Sequence, residues 1–205
     1  MQTLKILFPA FIAALCLQPS AWAQINGSVG LGGQVTPTTC LLSMTPGYEG
    51  STNSKGGTAL WNLGTYDVVN QDQSNKYRFV SLSLLTPDGN SGCRPSGPWN
   101  VMLDLSVDQI QAIGADNALK NTITVANGGT DAALALFATE QDNSIVRLEL
   151  KPGSYSTGTR VRSTGLINQL GTEILTLRAL PVSTTGNTPK PGLFRAIVPL
   201  VVLYN

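Results

Sequence analysis

The sequence predicts an all-β sandwich, and three observations carry that prediction. Apolar and polar residues alternate along most of the chain from Gly33 onward, clusters of Gly, Pro, Asn and Asp interrupt the alternation, and a helical pattern is confined to one short stretch. Several short strands with turn signals between them favour two packed antiparallel sheets over a parallel α/β sheet.

Taken in order, the first element is an address. Lys5 precedes an apolar run from Ile6 to Leu17, and Ala21-Trp22-Ala23 offers a small-x-small cleavage site, so the mature chain is expected to start at Gln24, after Ala23. The run is shorter than the roughly 20 apolar residues a membrane span needs. Leu15 before Cys16 does not suit a lipid-anchor signal, so Cys16 is expected to leave with the leader. The product is expected to be exported.

After the leader, Ile25, Gly27, Val29, Leu31 and Gly33 fall on one face of an extended segment, opposite Asn26, Ser28, Gly30, Gly32 and Gln34. Cys40 follows. The stretch Tyr48 to Gly57, rich in Gly, Ser and Asn, reads as a loop, and strands are expected over Ala59 to Val68 and Lys76 to Leu85. Pro87-Asp88-Gly89-Asn90 is a turn, and Cys93 comes just after it. The cleanest alternation puts Trp99, Val101, Leu103 and Leu105 on a core face against Asn100, Met102 and Asp104, expected mostly toward solvent. One helical turn is expected over Asp108 to Ile113, ended by Gly114. Asn127-Gly128-Gly129 marks a turn before a strand at Ala132 to Ala138. Val146, Leu148 and Leu150 form a further core face against Arg147 and Glu149, as do Leu175, Leu177 and Ala179 against Thr176 and Arg178. Ser183 to Pro191 is a loop.

The chain closes on GLFRAIVPLVVLYN, where Phe194, Ala196, Val198, Leu200, Val202 and Tyr204 place an apolar residue at every even position. The odd positions are mixed and include Arg195 and Pro199. Such a strand buries one face fully and the other partly. Pro199 lacks an N–H, so one side of this strand is expected not to lie in a continuous ladder, and an edge position fits. A long apolar edge templates aggregation unless something covers it.

Composition bounds the function. The chain has 205 residues, and the part after the leader is long enough for one domain with a sizeable core. With Lys5 set aside from the 13 Lys and Arg, the remainder balances its 12 Asp and Glu, so electrostatic capture of nucleic acid is not expected. Only 12% of residues are charged, which fits buried surface between subunits. Two cysteines remain after the leader, Cys40 and Cys93; in an oxidising compartment they read as one disulfide, the rival being two buried thiols.

At both ends the residues resemble the pilins assembled by the periplasmic chaperone/usher pathway, the type 1 pilin-like family. Family members carry a glycine fourteenth from the C-terminus, alternating apolar residues and a penultimate tyrosine, matched here by Gly192, the run from Phe194 and Tyr204. They also have a cysteine after a short early strand, as in GQVTPTTC at Gly33 to Cys40, with its partner at the end of a later strand, here Cys93. Leu175 to Ala196 looks like the family's last two strands and their loop.

The resemblance implies an incomplete immunoglobulin-like β-sandwich completed by a donated strand. On that reading residues 1–23 are the signal peptide, 24–32 the donor extension and 33–205 the pilin domain. Gly192, Phe194, Ala196, Val198, Leu200, Val202 and Tyr204 line the acceptor groove, and Ile25, Gly27, Val29 and Leu31 belong to the donor strand. Gly27 or Gly30 would let the donor backbone approach a shallow part of the groove. The implied partners are a periplasmic pilus chaperone, an outer-membrane usher and neighbouring fimbrial subunits, joined by β-strand addition. The place of action is a fimbrium on the bacterial surface. Two features depart from the family: the extension is short, so the donor either runs into Gly33 to Val35 or is incomplete, and the Cys40 to Cys93 separation is long.

Other function classes fare worse. The chain has no histidine, which excludes Ser-His triads, Cys-His dyads and His-ligated zinc. Acid pairs such as Glu140 with Asp142, or Asp104 with Asp108, are the ordinary furniture of solvated loops, and the glycines from Gly27 to Gly33 do not follow a strand of a βαβ unit. No catalytic residue, metal site or cofactor is expected. The nearer alternative is a tip or minor adhesin binding a host glycan or protein, with Trp61, Trp99 and Tyr48 as stacking surfaces.

Overall fold

In the computed structural model the described residues are 24–34, 40–46, 54–55, 57–67, 77–93, 99–152, 159–167, 169 and 171–204. The leader, Ala23 and Tyr48 lie outside them. The strands in chain order are β1 (Gln24–Gln34), β2 (Leu41–Pro46), β3 (Ser54–Lys55), β4 (Gly57–Asp67), β5 (Arg78–Leu85) and β6 (Trp99–Leu103). They continue as β7 (Ile110–Ile113), β8 (Asp116–Leu119), β9 (Ala132–Thr139), β10 (Ile145–Arg147) and β11 (Thr159–Arg162). The last three are β12 (Leu166–Ile167), β13 (Glu173–Ser183) and β14 (Gly192–Tyr204). One sheet has the order β11-β6-β14-β1-β4; the other runs β3-β2-β5-β13-β9-β8-β7, with β10 paired to β9 and β12 to β13. This is an all-β sandwich, as alternation predicts.

The core lies between the sheets and is built by the period of two. From one side come Val29, Leu31, Trp61, Leu63, Val101, Leu103 and the even residues of β14. The other side supplies Leu42, Met44, Val80, Leu82, Leu84, Leu134, Leu136, Leu175 and Leu177, each nearly or fully buried. Each such side chain contributes about 1.5–3 kcal/mol relative to exposure. Cys40 and Cys93 form a disulfide with Cα atoms 5.6 Å apart. Cys40 precedes β2, and the Cys93 N–H donates to the Leu84 carbonyl, so the bond pins the end of the β2–β5 ladder, where Leu41 faces Leu85. Closing a loop of 53 residues removes about 4 kcal/mol of unfolded-state entropy in the chain model.

Four local expectations are corrected. Asp108 to Ile113 is not a helical turn: a 3-10 turn occupies Val107–Gln109, and Ile110–Ile113 is β7, hairpinned to β8 with Gly114 at φ 61° between them. The Ser106 N–H and hydroxyl both donate to Gln109 Oε1 and cap the start of the turn, and Ile110, already extended, ends it. Met102 and Asn100 do not face solvent but are buried; on the outer face of the sheet Met102 stands between the buried Val201 of β14 and Arg160 of β11. Val146 is 46% exposed while Leu148 and Leu150 are buried; β10 is only a three-residue strand, off the main order of the sheet and paired to the last three residues of β9. The stretch Tyr48 to Gly57 is not loop throughout, since β3 falls within it and β4 begins at Gly57.

Turns conform more closely. Asp88 caps the turn after β5: its carboxylate accepts from the Thr86 hydroxyl and the Asn90 N–H, and these bonds hold it below the usual carboxylate range. Ser183 to Pro191 joins the ends of β13 and β14, carrying the chain from one sheet to the other.

Candidate functional site

The C-terminal strand β14 is the centre of the first sheet, and its two long sides are satisfied in different ways. Its even side chains point into the core: Phe194 3%, Ala196 3%, Val198 0%, Leu200 1% and Val202 2% exposed, against roughly half-exposed Leu193 and Ile197 on the odd face. Tyr204 pairs with Trp99 through the β14–β6 ladder. From Phe194 to Val202 the expected apolar row is buried, and the odd face is partly so, with Val201 at 4% exposed.

On one side, β1 lies along β14 in parallel from Ile25 opposite Gly192 to Gln34 opposite Val201. The strand runs 11 residues, to Gln34, past the nine-residue extension expected from sequence. Val29 faces Ala196 and Leu31 faces Val198, and both are buried; Gly27 faces Phe194 and Gly33 faces Leu200. The far edge of β1 pairs antiparallel with β4, where Val29 meets the buried Trp61. A bulge interrupts this pairing between Gly27 and Ser28. There Gly64 takes φ 64°, a conformation that favours glycine, and its N–H donates to Asn62 Oδ1 at 2.9 Å.

An edge position for β14, expected from Pro199, is thus corrected. The chain's own β1 covers one flank, so the strand is interior. The proline acts on the other flank. The Pro199 carbonyl accepts from the Asp104 N–H at 3.0 Å, so the missing N–H of the same residue points the same way, at the point where the β6 ladder, beginning at Leu200–Leu103, runs out.

Beyond Pro199 no strand among the described residues continues on that flank, and the segment from Asn121 to Thr130 takes its place, with a single bridge between Gly129 and Leu193. Arg195 N–H donates to Asn121 Oδ1 at 2.9 Å, and Asn121 Nδ2 donates to the Leu193 carbonyl at 2.8 Å and to the Thr130 carbonyl at 3.0 Å. The Ile123 N–H supplies a fourth bond to Asn121 Oδ1 at 3.0 Å. The Thr122 N–H and hydroxyl both donate to the Arg195 carbonyl, Leu193 N–H donates to the Gly128 carbonyl, and Gln109 Nε2 donates to the Ile197 carbonyl. One amide side chain stands in for a length of missing strand. No pattern in the sequence marks Asn121, since its partners lie 72 and 74 residues away. Asn121→Ala is expected to cost about 1–2 kcal/mol, because it removes two exposed bonds to β14 and the part-buried ones to Thr130 and Ile123; chemical denaturation measures it, and a loss below about 0.5 kcal/mol contradicts the role.

Gly192 is fixed by the same approach. A Cβ there would sit 2.5 Å from the Gly129 carbonyl carbon and from Thr130 N, and one on Gly129 would sit 2.1 Å from the Ile123 carbonyl oxygen. Both glycines exist to let two backbones meet.

The remaining candidates do not converge into a catalytic site. Glu140 and Asp142 belong to the exposed β9–β10 turn, Asp142 accepting from the Ser144 N–H, which helps hold its carboxyl below the usual range. Asp108 is exposed in the 3-10 turn. Among the described residues no three His, Cys, Asp or Glu side chains gather as metal ligands. Trp61 and Trp99 are 1% and 2% exposed, so neither offers a stacking surface in this chain. A scan against protein-family models matched none, and a search of curated proteins found no match.

Proposed function

We propose that this chain is a structural subunit of an adhesive bacterial fimbria, which polymerises by donor-strand exchange after capture by a periplasmic chaperone and so supports cell adhesion. The observation that supports this reading most is the coverage of one flank of β14, from Gly192 to Val201, by β1, which lies just after the expected leader and among the described residues pairs with β14 and β4 alone. A terminal strand is the element a fold can most readily give to a neighbour. An exposed β14 flank is the template to which a chaperone strand and then a neighbour's extension would add.

The energetics suit the role. Five buried even side chains on β14, at about 1.5–3 kcal/mol each, with a full backbone ladder, make a very stable joint without covalent chemistry. The leader, the disulfide and the low charge fit an exported subunit that buries surface against its neighbours. The usher and the neighbouring subunits follow as partners.

Deleting Gln24 to Leu31 tests the reading in cells. The expected result is a folded, chaperone-bound subunit that accumulates in the periplasm and is missing from sheared surface fibres. Normal fibres built from the deleted chain would sink the proposal.

A further inference from the structure

Exposed apolar side chains on this sandwich are not scattered. Of the nine large ones among the described residues, Leu193 at 49% and Ile197 at 52% flank Arg195 on the outer face of β14, and Val125 and Val107 belong to turns that bond to that strand. Those turns are tied to the same strand, by the Gly128 bond to Leu193 and the Gln109 bond to Ile197. The β1 row beside them is small, Ser28 opposite Arg195, Gly30 opposite Ile197 and Gly32 opposite Pro199, so nothing overhangs the patch from that side. Among the described residues Arg195 forms no ion pair.

Four more stand around the β9–β10 turn: Ile145 at 40%, Val146 at 46%, Leu166 at 43% and Ile167 at 55%. Gln141 in that turn packs against Gly165, which brings β12 to its side. The turn carries Glu140 and Asp142, both exposed. Of the cations near this end, Arg178 is held by Thr139 Oγ1 at 2.8 Å and lies over the Phe79 ring, and Arg147 is paired with Asp116 at 3.1 Å; Arg162, at the end of β11, is exposed.

The two surfaces lie at opposite ends of the molecule. The Thr130 N–H donates to Leu193 just before β9 starts, and β9 then runs to Thr139, where Ile145 pairs with it; nine residues of extended chain span about 30 Å. Exposed apolar clusters at two poles, one around Arg195, with Asp108 exposed in the turn that supplies Val107, and one around two acids, are what a heterologous contact between copies requires.

We propose that the Arg195 surface of one copy docks on the Glu140 to Asp142 turn of the next, so that a second copy of this chain, oriented head to tail, is the partner of both poles. This rests on the fibre reading and adds to it a contact separate from strand donation. The contact holds the angle between successive subunits, whereas the donated strand holds them together.

The test uses the chain from Gln24 onward, with β1 in place, in sedimentation equilibrium at low and high salt. The expected result is weak, salt-sensitive self-association that falls about tenfold in Arg195→Glu and in Glu140→Lys/Asp142→Lys, and returns when all three reversals are combined. Thermal melts of each variant check that folding is intact. Association indifferent to the reversals, or its absence at low salt, overturns the docking. A dimer that responds to Arg195→Glu alone overturns the head-to-tail geometry in favour of a symmetric contact. None of these results depends on fibre formation, so failure here is distinguishable from failure of the deletion experiment.

Discussion

Gly192→Val will leave little folded chain, with stability lowered by about 3 kcal/mol or more, read as loss of soluble yield and of the cooperative transition in denaturant. The added Cβ would meet the Gly129 carbonyl carbon and Thr130 N at 2.5 Å, and both are backbone atoms with no rotamer through which to retreat. Relief would require the 128–130 segment to move off β14. That would break the Leu193–Gly128 and Thr130–Leu193 bonds and, with them, the Asn121 clamp. Gly192→Ala should show most of the effect, since the Cβ alone causes the collision, and Gly129→Ala should match it for the same reason. A Gly192→Val chain as stable as the parent would show that this approach is looser than 2.5 Å, and the account of Gly192 would fail.

Removal of β1 is expected to have an effect at least as large on the isolated protein. Without Gln24 to Gln34, the burial of Val29 and Leu31 is lost, about 1.5–3 kcal/mol each, and Trp61, Ala196 and Val198 are opened to water. Two strands, β14 and β4, also become apolar edges. The truncated chain should melt at least about 10 °C lower and aggregate on purification. A synthetic peptide of Gln24 to Gln34 should restore the transition, and one carrying Val29→Asp and Leu31→Asp should not. An unchanged melting temperature would mean that β1 is a passenger on the sheet, with no part in completing it.

The apolar face of β14 could be read from the sequence because strand alternation is a local property: six even positions in a row declare one face whatever lies beside it. The disulfide was readable for a different reason: the leader-like start led us to expect export to an oxidising compartment with two cysteines remaining, and Cys40 and Cys93 are bonded. Where the local rule failed, neighbours overrode it. Met102 sits at an outward position of a clean alternation and is nonetheless buried, opposite a Val201 of β14 that is buried on the same outer face. Val146 sits at an inward position and is exposed, on a three-residue strand off the main order of the sheet. Asp108 to Ile113 tolerates helix by composition, but pairing with Asp116–Leu119 decides for strand.

The sequence by itself determined the all-β class, the cysteine pair and which side of Gly192 to Asn205 is apolar, since each follows from residue types and short spacings. Only the tertiary structure decided what meets that strand. It seats β1 parallel to β14 in a single register, sets Asn121 where another strand would run, and brings the Gly129–Thr130 backbone so close to Gly192 that this position has no room for a side chain. These are contacts between segments about 60 to 170 residues apart, and no local period encodes which distant backbone arrives or how closely it approaches.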